Sequence, residues 1–162
     1  MNTWKIALRE GAVAGTVATL LSTALLAAIG RRENRSAAAP VNAVSHWLWG
    51  DESLHADGAD LRHTLTGFVT HHLAAVFWAS LYSLLHGHRD EAKTPAQAVA
   101  GGIATSAVAY VVDYHVVPKR LTPGWEHRMA PGSLAATYGS LAVGFTLGAL
   151  LLAALGRSSP GR

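Results

Sequence analysis

Apolar and polar positions separate along this chain in long blocks rather than turn by turn. Residues 11–30, 64–88, 94–112 and 129–156 carry no Asp, Glu, Lys or Arg, and short polar segments between them hold most of the charge. A helix needs about 20 apolar residues to cross a hydrocarbon core about 30 Å thick. Each run is near or above that length. A helix in a soluble bundle would show a polar face, and these runs show none. The pattern predicts an all-α fold, a bundle of four transmembrane helices over residues 9–30, 62–86, 95–117 and 132–156 in one integral membrane domain.

Small residues recur at helical spacing inside the runs. Gly11 and Gly15 form a GxxxG continued by Thr19 and Ser22, Gly102 and Ser106 form a second small face, and Gly144 and Gly148 a third. Such faces let helices approach closely. They are expected to pack helices, and they also offer surfaces for a homo-oligomer or a larger membrane complex.

The polar segments refine the picture. In the first loop Pro40 can open a helix, and Val41, Val44, Trp47 and Leu48 follow at helical spacing. With Trp47 and Trp49 this reads as a short interfacial helix over residues 40–49, because Trp is enriched at membrane interfaces. Asp51, Glu52, Asp57 and Asp60 follow without the regular spacing of a calcium loop, so a solvated loop is expected. The third loop carries Pro118, Pro123, Gly124 and Pro131 and should be rigid. Its Lys119, Arg120 and Arg128 are expected to meet phosphate headgroups, with Trp125 at the interface.

Composition agrees with this reading. Half of the 162 residues are hydrophobic and only 14% are charged, against roughly 25% in ordinary soluble proteins. The net charge of +3 comes from residues flanking the apolar runs, where a lipid bilayer explains them. No basic stripe with interleaved aromatics suggests nucleic acid. The absence of cysteine excludes disulfides, thiolate catalysis and Cys-ligated metal centres. The first run, preceded by Lys5 and Arg9, resembles a signal peptide. Its length and the following Arg31, Arg32 and Arg35 favour an uncleaved span.

Four spans put both termini on one side, called here side A, and loops one and three on the other, side B. Side B and the adjacent half of the membrane then gather His46, His55, His63, His71, His72, His115 and His127, with Asp113 and Glu126. Only His86 and His88 fall on side A. Lys and Arg are nearly balanced between the sides, so the positive-inside rule selects no orientation.

This gathering is the candidate chemistry. Residues four apart share a helix face, so His63, Gly67, His71 and Ala75 line one side of the second span. His71 should face the bundle, as ionisable groups at membrane depth do. Asp113 is the acid of the third span. By helical rise His71 lies roughly 12 Å below His63, level with Tyr110, and Asp113 falls level with Gly67, where the second and third spans could approach. A polar cluster of His71, Tyr110 and Asp113, flanked by His63 and His115, is expected. It could bridge helices by hydrogen bonds. It could instead hold a divalent transition metal through His63, His71, Asp113, His115 and Glu126, or conduct protons or a solute through His71 and Asp113. No HExxH, HxxxH or GxSxG spacing is present, so neither catalysis nor a cofactor is expected from motifs.

FVTHHLAAVFWASLY in the second span, PAQAVAGGIA opening the third and the LTPG turn after it resemble the YagU-type family of uncharacterised bacterial inner-membrane proteins. The resemblance covers roughly residues 61–145 and carries His71 over as a family-like position. It departs at Tyr138–Gly139, where a Gly–His pair would be expected, which weakens a metal site built on both helices. It implies a multi-pass inner-membrane protein and supplies no established reaction. The Ala-rich composition fits a bacterium. The sequence thus points to a polytopic membrane protein with a structural or complex-forming role, the alternative being metal binding or conduction through the His/Asp/Tyr cluster.

Overall fold

The computed structural model describes residues 2–89, 92 and 94–157. The charged positions 90, 91 and 93 of the second loop, and the tail from 158, expected to be disordered, lie outside the described residues. The described residues form helices and turns without a strand. In chain order the α-helices are α1 (Thr3–Glu33), α2 (Ala39–Val44), α3 (His46–Trp49), α4 (Thr66–Tyr82), α5 (Pro95–Val111) and α6 (Pro131–Arg157). Single π-helical turns extend α4 at both ends, Leu61–Leu65 and Ser83–Gly87, and extend α5 through Val112–Val116. Four segments, Thr3–Glu33, Leu61–Gly87, Pro95–Val116 and Pro131–Gly156, are long and apolar enough to cross a membrane. Large apolar side chains face outward along them, among them Leu20, Leu73, Phe77 and Ile103, each more than half exposed. Patches of that kind are rare on soluble monomers. The chain is a polytopic membrane protein.

The helices run alternately up and down, as the positions facing one another show. A Cβ on Gly15 would lie 2.6 Å from the Val76 Cα of α4, and one on Gly11 would collide with Ser80. Gly144 and Gly148 of α6 meet the backbone of Ala18 and Ala14 on α1, while Gly102 of α5 meets Ala142 and Thr146 on α6. Ser106 donates to the Tyr138 carbonyl at 2.5 Å. All three small-residue faces are therefore used inside one chain. They set the order of neighbours as α4, α1, α6, α5, and leave α4 and α5, adjacent in sequence, barely touching.

The side-B end is covered by the two loops. The segment expected as one interfacial helix breaks at Ser45. Every residue of α2 is buried, whereas Leu48 and Trp49 of α3 stand at the exposed rim. Gly67 makes room for the Val41 carbonyl of α2 rather than for the third span. Buried Asn42 donates to the Ala56 and Gly58 carbonyls at 2.9 and 2.8 Å and accepts from Thr64 Oγ1 at 2.7 Å. The Trp47 indole N–H donates to the Thr122 carbonyl at 2.8 Å. Arg128 does not reach outward as expected. It pairs with Asp57 and donates to the Leu54 carbonyl. The loop acids thus serve as ties, with Glu52 on Arg62 and Asp57 on Arg128.

Asp60 caps the start of the second span, accepting from the His63 backbone N–H at 2.6 Å and facing His63 Nδ1 at 3.0 Å. These two bonds hold its carboxyl below the usual carboxylate range. A depressed folded-state pKa stabilises above the unfolded value and is lost as pH falls through the folded one. Asp60→Asn is therefore expected to reduce the loss of stability on acidification below the ordinary carboxylate range, read from unfolding midpoints against pH. Identical acid limbs for both proteins would contradict this role.

Candidate functional site

His71 is buried, as its place on the Gly67–His71–Ala75 face requires. Its Nε2 lies 2.8 Å from Ser22 Oγ on α1. Ser22 commits its one hydroxyl hydrogen to the Ala18 carbonyl at 2.7 Å, the i−4 back-bond open to serine in helices. His72, stacked on Phe68, repeats the device. Its Nδ1 is 3.2 Å from Thr19 Oγ1, which back-bonds to the Gly15 carbonyl. Adjacent imidazoles therefore bridge α4 to successive hydroxyls of α1. Ser22 is fully buried.

Asp113 finds its partner on α6. The Tyr138 hydroxyl donates to it at 2.6 Å. Tyr110 stacks edge-on against Tyr138 and His115 rather than bonding either acid or imidazole. The expected cluster is thus divided, His71 bonding to α1 and Asp113 to α6. Trp125 stands between the two halves. The sequence places this side chain at the interface, but it is 2% exposed, wedged edge-on between His71, at 5.2 Å, and Tyr138, at 5.8 Å. Gly124 admits it through a left-handed backbone with φ of 80°. His63 belongs to the Asp60 cap, His115 is exposed, and Glu126 accepts from Thr122 Oγ1 at 2.6 Å. Among the described residues no three His, Asp or Glu side chains converge as a metal-ligand set.

Two partly open cavities lie along the seam between α4 and α5, walled also by α6. The smaller, about 50 Å³, lies toward side B and has both His71 and Asp113 in its wall. The larger, about 640 Å³, opens toward side A. Phe145 of α6 lines both. At the side-A mouth the Tyr82 ring spans from α4 to Gly101 of α5. Most of the larger wall is small or apolar, including Val13, Ala79 and Ala149, but Arg9 and Glu10 stand at one end. Glu10 is 8% exposed and accepts from Ser83 Oγ at 2.5 Å. Sequence reasoning misses Glu10 because the charge-free run begins one residue later. The apolar Ile6, Ala7 and Leu8 before it, and Ala14 one turn after it, were the available signal.

No protein-family model, no curated protein and no solved structure matches this chain.

Proposed function

We propose that this chain is a non-catalytic membrane protein that holds a small lipid-borne molecule in the larger chamber between α4 and α5. The observation that carries the reading is the chamber itself. Its volume of about 640 Å³ falls in the range of ligand sites, roughly 300–1,000 Å³, and its walls are mainly apolar with few polar groups, as such sites are. The side-B imidazoles support the absence of catalysis, since His71 and His72 serve as bridges between helices. A bacterial inner membrane is the location we assign, on the Ala-rich composition and the YagU-type resemblance.

The test is native mass spectrometry of protein released from detergent micelles. Wild type is expected to carry one retained small amphiphile per chain. Ala149→Phe, which places a ring in the chamber from a partly buried alanine, is expected to lose it while remaining folded. Equal retention by both proteins would sink the reading.

A second reading keeps His71 and Asp113 as a proton or metal station, favoured by their shared place in the wall of the small chamber. Stoichiometric metal in the purified protein, or a pH-dependent flux in liposomes lost in Asp113→Asn, would select it.

A further inference from the structure

Tyr82, at the edge of the larger chamber, indicates which head group the chamber takes. This step rests on the reading that the chamber binds a molecule and adds the class of that molecule. All four spans contribute to the wall, with Ala14 from α1, Ala79 from α4, Gly102 from α5 and Phe145 from α6. Gly156 stands at the side-A rim and Phe145 at the inner end. The helical rise between them makes the chamber roughly 16 Å deep. Most of that depth is apolar, so most of a bound molecule must be apolar too.

The polar groups of the wall are nearly all committed within the protein. Thr105 Oγ1 donates to the Gly101 carbonyl at 2.7 Å. Ser83 Oγ donates to Glu10, and Glu10 has a further contact besides. Arg9 is exposed at the rim, where a long side chain keeps its charged end in water. Tyr82 differs from all of these. Its ring lies between two glycines. A Cβ on Gly101 would collide with its hydroxyl, and one on Gly87 would lie 2.7 Å from its Cε1. The hydroxyl therefore reaches from α4 to the α5 backbone, and it bonds no group among the described residues.

A phenol hydroxyl can both donate and accept, and tyrosine in apolar surroundings usually finds a partner for it. A hydroxyl or carbonyl on the bound molecule supplies one. A charged head drawn into the wall would have to be paired there. Glu10 is already engaged and Arg9 stays in water, so a neutral head suits this wall best.

We propose that the chamber binds a neutral amphiphile, with a hydroxyl or carbonyl head hydrogen-bonded to Tyr82 and an apolar tail directed toward Phe145.

The probes are dodecanol, dodecylammonium and dodecanoate, which share one tail and differ in head. Each is added in tritiated form to protein in phosphatidylcholine nanodiscs, and binding is counted above that of empty discs. Dodecanol is expected to bind wild type at least fivefold more tightly than either charged probe, about the worth of one net hydrogen bond. Tyr82→Phe keeps the ring between its glycines and removes only the hydroxyl. It is expected to lower dodecanol affinity at least fivefold and to leave the charged probes unchanged. Ala149→Phe, which fills the chamber, is expected to abolish binding of all three. Equal dodecanol affinity in wild type and Tyr82→Phe overturns the head-group assignment while the chamber remains a binding site. Tighter binding of either charged probe to wild type overturns it as well. If wild type binds no probe better than Ala149→Phe does, both readings fail. The comparison of probes on wild type decides the class even where a variant fails to fold.

Discussion

Trp125→Ala is expected to cost about 3–5 kcal/mol, the range for emptying a buried aromatic site. Trp125 is the largest of the fully buried side chains. It touches His71 of α4 on one side and Tyr138 of α6 on the other, and it fills the gap that α4 and α5 leave between them at side B. Its loss should do two things. The unfolding midpoint in detergent should fall sharply, and the small chamber should open to water from side B. The chain has no cysteine, so one introduced thiol reports alone. Ala75 is 3% exposed and lines that chamber. Ala75→Cys should resist a water-soluble maleimide in the otherwise native protein and react in the Trp125→Ala background. A near-neutral substitution with no gain in labelling would return Trp125 to the membrane surface, where its sequence context places it.

That misplacement shows where sequence reasoning stops. Charge-free runs longer than a bilayer are an intrinsic property of the chain, so the four spans were legible to within a few residues, apart from the first. There the helix runs from Thr3, capped by Asn2, to Glu33, because the charged residues on either side of the apolar run continue the same helix. The small-residue faces were legible too, and each one packs. Their partners were not, since a glycine stripe states that something approaches without stating what. Hence Gly67 turned out to receive a carbonyl of the short helix α2 rather than the third span. The depth argument placed His71 and Asp113 correctly at side B. It failed to pair them because depth fixes height in the membrane and not azimuth around the bundle. With α1 and α6 between α4 and α5, each polar group met a different neighbour. Tyr138, noted in the sequence only as a departure from a resembling family, is the residue that satisfies Asp113. Trp125, in a polar turn rich in proline and glycine, carried every sign of an interfacial residue. Only the left-handed turn at Gly124 directs it inward.

The order of neighbours is set by small residues rather than by polar bridges, and this has a measurable consequence. Gly144→Val is expected to destabilise the bundle by about 3 kcal/mol or more, at or above the upper end of what overpacking costs. A side chain at Gly144 would meet the Ala18 backbone, and Ala18 is fully buried. A helix backbone cannot step aside as a flexible side chain can, so α1 and α6 must separate. Gly139 on the same helix provides the control. Nothing lies within 4 Å of a Cβ built there, and Gly139→Val should be close to neutral. Ser22→Ala removes the hydrogen-bond partner of His71, yet interhelical hydrogen bonds in membranes average only about 0.6 kcal/mol and rarely exceed about 1.7. Unfolding in mixed micelles by an anionic detergent should therefore rank the variants Gly144→Val well below Ser22→Ala, with Gly139→Val near wild type. The reverse ranking of the first two would mean that the imidazole bridges hold α4 and α1 in place and that the glycine faces merely accommodate them.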